Sequence, residues 1–95
     1  MSDNDITTGQ ATVSAAGTAE LLITMGDRAT AIIIKAHTTN SGNIFVGPST
    51  VDKDDGFILD AGEEVTIKFD MGQTDIYIDS ETNDDGVSYV YWRRK

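Results

Sequence analysis

The amino-acid sequence predicts an all-β protein: one small antiparallel β-sandwich, jelly-roll-like or immunoglobulin-like, of about seven or eight short strands. Short apolar runs alternate along the chain with turn signals rich in glycine, aspartate and asparagine. None of these runs combines the length and the 3.6-residue periodicity of a stable helix. The block of three consecutive isoleucines at residues 32–34 is typical of a buried strand.

The N-terminal part of the chain holds a polar segment and three strand candidates. Residues 1–10 are mostly polar, and we expect them to form a flexible arm that becomes ordered only against a neighbour. Residues 11–16 alternate small polar and apolar side chains, which suits an edge strand. Residues 19–25 are apolar but lie between two glycines, too short a segment for a stable helix. Residues 31–39 contain the isoleucine block and are expected to form a central strand.

The centre of the chain contains the clearest strand and turn signals. Residues 43–47 end at a glycine that is followed by the only proline, Pro48. Residues 56–59 lead into a tight turn at residues 60–63. Residues 64–69 then alternate polar and apolar side chains with the period of two that favours a half-buried strand.

A connection at residues 39–42 separates two of these strands. Strands joined so closely are commonly paired, so we expect the strands on either side of it to be antiparallel neighbours. The last two strands are predicted over residues 75–79 and 87–92. Most of the core is expected to come from Ile32, Ile34, Ile44, Val46, Val65, Ile67, Phe69, Ile76 and Ile78.

Length and composition predict one domain that gains stability by association. A chain of 95 residues buries roughly 60–65% of the surface that it exposes when unfolded. The sequence has no cysteine, so neither disulfides nor thiolate-bound metals can stabilise it, and a homo-oligomer is expected. The expected organisation is a flexible arm at residues 1–10 and a single β-sandwich domain at residues 11–95, which ends in a basic tail at residues 93–95.

The chain is strongly acidic. Sixteen Asp and Glu residues against seven Lys and Arg residues give a net charge of −9 at pH 7. Such a surface repels phosphate backbones and anionic lipids, so neither nucleic acid nor a membrane is expected as a partner. It favours solubility at high ionic strength and is compatible with a halophilic source. The first residues lack the basic and apolar regions of a signal peptide, and synthesis in the cytoplasm is expected.

Two acidic loops are the candidate cation sites. Residues 81–86 place oxygen-bearing side chains at alternate positions before a glycine, as in the first half of an EF-hand loop. The candidate ligands are Glu81, Asn83 and Asp85. The twelfth position is Trp92 instead of a bidentate Glu, and the similar loop at residues 52–56 carries Lys53 in its middle. Because Asp-Gly favours tight turns, a structural turn is the preferred interpretation of both loops, and no metal or other cofactor is predicted.

Catalytic chemistry is not predicted. His37 is the only histidine, which excludes a zinc site of several nitrogen ligands, and no Ser-His-Asp arrangement is indicated. Its ring is expected to bond a backbone carbonyl. A pair of catalytic carboxylates needs a cleft, and a small sandwich offers little concavity. The sequence therefore predicts a protein that is not an enzyme.

The candidate interface residues lie near the two termini. They are Ile6, Tyr89, Tyr91, Trp92, Arg93, Arg94 and Lys95. Along the last strand the tyrosines point to one side and Trp92 to the other, so one aromatic set is expected at a surface or subunit interface. Aromatic stacking on sugars gives the alternative function, a carbohydrate-binding or adhesion module. The basic tail is expected either to be solvated or to reach an acidic patch on a neighbouring copy.

Four short motifs follow one another in the second half of the chain: Asn43-Ile44-Phe45-Val46-Gly47, Gly56-Phe57-Ile58-Leu59, Ala61-Gly62-Glu63 and Asp75-Ile76-Tyr77-Ile78. This succession resembles small β-sandwich virion structural proteins of tailed bacteriophages and archaeal tailed viruses, in which proline often stands at the position of Ala61. The resemblance implies a non-enzymatic, self-assembling capsid decoration, turret or tail-associated component. It implies a location in the virion and, as partners, copies of the chain and other virion proteins such as the major capsid protein.

Overall fold

The computed structural model describes residues 4–26, 29–69 and 73–94, and these residues form eight strands with no helix between them. In chain order the strands are β1 (Asn4–Thr12), β2 (Glu20–Met25), β3 (Ala29–Ala36), β4 (Ile44–Gly47), β5 (Phe57–Leu59), β6 (Glu64–Lys68), β7 (Thr74–Ser80) and β8 (Gly86–Arg94). The first sheet has the order β1-β8-β3-β6 and the second sheet the order β2-β7-β4-β5. All pairings are antiparallel, which confirms the predicted fold class. Within the described residues there is no helix that could cross a membrane.

The strand order is that of a jelly roll. Of the seven connections between consecutive strands, only the one from β4 to β5 stays within one sheet, and the others cross to the opposite sheet. An immunoglobulin-like sandwich would instead pair its first two strands within one sheet. The sequence left these two arrangements open, and the tertiary structure selects the jelly roll.

The expected pairing of the strands on either side of residues 39–42 is wrong. β3 lies in the first sheet and β4 in the second, so this connection passes from one sheet to the other. Side-chain hydrogen bonds between this connection and the β7–β8 connection with Gly86 hold it there. The Asn40 amide bonds both backbone groups of Gly86, and the Asp85 carboxylate accepts the backbone N–H groups of Ser41 and Gly42.

The N-terminal segment also differs from its prediction. Residues 4–10 belong to strand β1 instead of a flexible arm, while residues 1–3 lie outside the described residues. β1 pairs with β8 along its whole length, from Asn4 opposite Arg94 to Thr12 opposite Gly86. A ladder of this length pairs the backbone groups of β1 that face β8, so this polar segment needs few apolar side chains to be a strand. The sandwich therefore includes residues 4–10.

The core lies between the two sheets, and the alternation of side chains builds it. Six of the predicted core residues are buried: Ile32, Ile34, Ile44, Val46, Ile76 and Ile78. Val65, Ile67 and Phe69 are only half-buried, because β6 is an edge strand of the first sheet. Val13, Met25, Leu59 and Val87, which the sequence pattern did not select, complete the buried cluster between the sheets, and Phe45 and Val51 are buried outside this cluster.

The placement of the core predicts that alanine substitutions at two isoleucines differ strongly in their effect on the free energy of unfolding. Ile34 has no exposed surface, so Ile34→Ala should lower the free energy of unfolding by about 2–5 kcal/mol. Ile6 is 72% exposed, and Ile6→Ala should change it by less than about 0.5 kcal/mol. Urea denaturation of both variants at a concentration where the protein is monomeric provides the measurement. Equal losses would contradict this placement.

Candidate functional site

Four connections that cross between the sheets lie together at one end of the sandwich, which we call the loop end. They are residues 13–19, 37–43, 60–63 and 81–85. Backbone hydrogen bonds link them to one another and to adjacent strands, such as those of Val13 with Asp84 and Asp85, and that from Gly62 to Ala36. The acidic candidate loop at residues 81–86 thus packs against the loops at residues 13–19 and 37–43.

Asp85 is the centre of the loop end. It is 6% exposed, and its two carboxylate oxygens accept hydrogen bonds of 2.9 and 2.8 Å from the backbone nitrogens of Ser41 and Gly42. The next residue, Gly86, is packed so closely that a Cβ there would lie 2.5 Å from the carbonyl oxygen of Ala11. A positive φ occurs instead at Asp84, at 70°. Close packing, and not turn conformation, therefore requires glycine after Asp85.

The two other cation candidates serve different loops. Asn83 Oδ1 accepts a hydrogen bond of 2.8 Å from the backbone nitrogen of Ala16, and Glu81 Oε1 accepts one of 2.8 Å from that of Asn43. Each candidate side chain thus already accepts a hydrogen bond from the backbone, and the three side chains are directed to separate partners. In the described part of the chain, no group of three or more His, Cys, Asp or Glu side chains is arranged to hold a metal ion.

Two further carboxylates at this end were not selected by the sequence. Glu20 Oε2 accepts hydrogen bonds from the backbone nitrogen and hydroxyl of Ser14 and from the nitrogen of Ala15, at 2.9 to 3.4 Å. Asp79 is 1% exposed, and its Oδ1 accepts the backbone N–H groups of Gly17 and Ser80 at 2.9 and 2.8 Å. The only sequence feature that could have pointed to these two carboxylates is the loop of small residues between β1 and β2. Small side chains leave the backbone N–H groups of such a loop accessible to carboxylate acceptors.

His37 is a structural residue in this arrangement. Its Nε2 lies 3.0 Å from the Ser88 hydroxyl oxygen, whereas the sequence predicted a backbone carbonyl as partner. The hydroxyl comes from the neighbouring strand β8, and it can either donate or accept, so it suits both tautomers of the imidazole. No second histidine exists in the chain to extend this pair into a relay.

The two tyrosines of the last strand face the core. Tyr89 and Tyr91 pack against the buried cluster, and their rings stack with centroids 6.2 Å apart and planes inclined by 21°. The ring of Tyr89 also covers Gly9 on β1, where an added Cβ would lie 2.5 Å from the ring carbon Cζ. Of the predicted interface aromatics on β8, only Trp92 therefore lies on the outer face, and the carbohydrate-binding alternative depends on it.

The other candidate interface residues reach solvent around Trp92. Ile6 lies directly opposite Trp92 in the pairing of β1 with β8 and is 72% exposed. Arg93 and Arg94 are exposed at the end of β8, away from the loop end, and Lys95 lies outside the described residues. The structure thus brings together Ile6, Trp92 and the two arginines.

Three exposed apolar side chains were missed by the sequence patterns. Leu21, Phe57 and Ile58 are 52%, 57% and 51% exposed. They occupy β2 and β5, the two edge strands of the second sheet. The short apolar runs that contain them predict strands, but they do not reveal which strands are edges.

Comparisons with known proteins support the fold. No protein-family model matches the chain, and no curated protein matches it. Among solved structures it is similar to a chain from the Bacillus endospore appendages, a novel family of disulfide-linked pili. The two chains are 13% identical with a TM-score of 0.64, and the match covers 96% of this chain and 86% of that chain. At this identity the likeness establishes a shared fold, and this chain has no cysteine with which to form a disulfide.

The double acceptor role of Asp85 predicts a specific loss of stability. Asp85→Asn leaves one oxygen for two backbone donors and turns an amide N–H₂ toward the other donor. We expect the free energy of unfolding to fall by about 1–3 kcal/mol. Asp84→Asn is the matched control, because it removes the same charge from the adjacent exposed residue and asparagine tolerates a positive φ. Similar losses in the two variants would show that charge, and not the hydrogen bonds, is responsible.

The hydrogen bonds of Glu81, Asn83 and Asp85 also predict the response to calcium. Because their oxygens already hold loop backbone, we expect the melting temperature to be the same with excess calcium chloride, with excess magnesium chloride and with a chelator. A ligand that binds only the folded state would raise this temperature. Thermal unfolding followed by circular dichroism makes the comparison, and an increase specific to calcium would establish a site.

Proposed function

We propose that this chain is a non-enzymatic structural subunit that assembles with copies of itself. One observation carries the proposal. All four large apolar side chains that are exposed in the described residues, Ile6, Leu21, Phe57 and Ile58, lie on edge strands of the two sheets. Exposed apolar edge strands favour association, and monomeric β proteins commonly protect them with charge. β6, the remaining edge strand, has that protection in Glu64 and Lys68.

The structural likeness supports this proposal. The same jelly-roll fold occurs in a protein of pili, which shows that the fold is compatible with a polymeric structure. Those pili are disulfide-linked, whereas this chain has no cysteine. Its copies would therefore be held by non-covalent contacts. Association of this kind is reversible with concentration and is insensitive to reducing agents.

For the particular assembly we propose a surface component of a tailed-virus particle, either a capsid decoration, a turret or a tail-associated protein. The motif succession within residues 40–92 supports this placement, and jelly rolls are frequent in viral capsid proteins. The partners would be copies of the chain and other virion proteins such as the major capsid protein. Genes for capsid, portal or tail proteins beside its own gene would support the placement, and their absence would count against it.

Self-assembly is tested by light scattering after gel filtration, combined with negative-stain electron microscopy. We expect particles larger than the 10.2 kDa chain, with a mass that increases with protein concentration. A reducing agent should leave these particles unchanged, and sodium dodecyl sulfate without reducing agent should dissociate them completely. A folded protein that stays at 10.2 kDa at high concentration, in both low and high salt, would refute the proposed function.

A further inference from the structure

The two outer faces of the sandwich differ in charge, and side-chain alternation assigns residues to them. On β3, Ile32 and Ile34 are buried in the core. Because successive side chains of a strand point to opposite faces, Ile33 and Lys35 point outward. The same alternation applies to the other strands of the first sheet. We call the outer surface of the first sheet the basic face and that of the second sheet the acidic face.

The basic face carries an apolar centre with positive charge around it. Its bases are Lys35, Lys68 and Arg94, and Glu64 is the one acidic residue that its described strands direct outward. Lys35 lies opposite Glu64, whereas Lys68 and Arg94 lie opposite the uncharged Ala31 and Asn4. Apolar side chains of Ile6, Ile33, Val90 and Trp92 lie between them. An open depression of about 540 Å³ over Ile33 and Val90 makes this face receptive to protruding side chains.

The acidic face has the opposite charge. Residues 48–56 fold over it, because Val51 is 2% exposed and lies close to Gly47 and Gly56, while Phe45 beneath is 3% exposed. This loop carries three exposed acids and one base: Asp52, Asp54, Asp55 and Lys53. Asp75 on β7 adds a further carboxylate, and none of the described strands of the second sheet contains Lys or Arg. Leu21 and Ile58 protrude from this face.

We propose that the copies stack front to back, with the basic face of one copy on the acidic face of the next. This inference rests on the proposed self-assembly and names the surfaces that perform it. Each face offers apolar side chains whose burial would drive association: the exposed Ile6 and the half-buried Trp92 on one, and the exposed Leu21 and Ile58 on the other. Charge would choose the pairing, since two basic or two acidic faces repel each other.

The geometry of such a contact favours an extended assembly. The two faces are on opposite sides of one sandwich, so every copy that docks through one face leaves the other face free. A contact between different patches of identical subunits is heterologous, and it forms a ring if the rotation closes and an open stack if it does not. The charges indicate that a second copy of the chain binds the basic face. The chain is itself strongly acidic, and each copy supplies one acidic face for every basic face.

The proposal is tested with two charge-reversed variants and their mixture. Lys68→Glu combined with Arg94→Glu makes both faces acidic, and Asp54→Lys combined with Asp55→Lys makes both faces basic. We expect each variant alone to need at least about a tenfold higher concentration to assemble than the original protein. An equimolar mixture should recover assembly, because an acidic copy can then alternate with a basic copy. Light scattering and electron microscopy at low ionic strength report the result.

A control matched to the variant that combines Asp54→Lys and Asp55→Lys carries the same change of charge outside both faces. Asp60→Lys combined with Asp84→Lys alters two exposed residues at the loop end and should assemble like the original protein. Circular dichroism establishes that every variant is folded. If all variants assemble like the original protein, or if the mixture shows no recovery, the front-to-back contact is refuted while self-assembly stands. If the original protein is itself monomeric, the proposed function fails first.

Discussion

Backbone donors in the loops that cross between the two sheets must find acceptors, and the rest of this structure depends on that requirement. A hairpin satisfies its own backbone groups, but only β4 and β5 are joined in this way. The other connections leave the ladder, and an unpaired buried donor costs about as much as a lost hydrogen bond. Carboxylate and amide oxygens meet the need at the loop end, with Asp79 and Asp85 almost fully buried in that role.

This requirement explains part of the acidic composition. Asp79, Asp85, Glu20 and Glu81 each accept hydrogen bonds from backbone groups, so they contribute to the fold as well as to solubility. Such bonds between a charged acceptor and a neutral donor are stronger than those between neutral groups. They also account for the loops that resemble cation sites in sequence, because the same oxygens that could bind a cation bind N–H groups instead. Exposed carboxylates outside the loop end, such as those of Asp54 and Asp55, give the acidic face its charge.

Sequence patterns predicted most strands but not how they pair. Alternation and β-branched residues located the segments that became β2 to β8, and the isoleucine block became the centre of the first sheet. The sequence patterns did not predict residues 4–10 of β1 as a strand, because these mostly polar residues show no apolar alternation. The ladder with β8 determines their conformation. Among the interface candidates, Ile6 is exposed and Trp92 lies half-buried on the outer face of the first sheet. Tyr89 and Tyr91 are turned inward, because alternation separates two sets of residues without saying which set meets the core.

The sequence by itself determined the class of fold, most strand segments, the net charge and the absence of cysteine, since these follow from local patterns and composition. Only the tertiary structure decided the jelly-roll order, the burial of Asp79 and Asp85, the position of exposed apolar residues on edge strands and the opposite charges of the two faces. The physical reason is that these features depend on pairing between residues far apart in the chain. Alternation with a period of two shows which residues of a strand share a face. It does not show which strand is the partner, nor which of the two faces is buried.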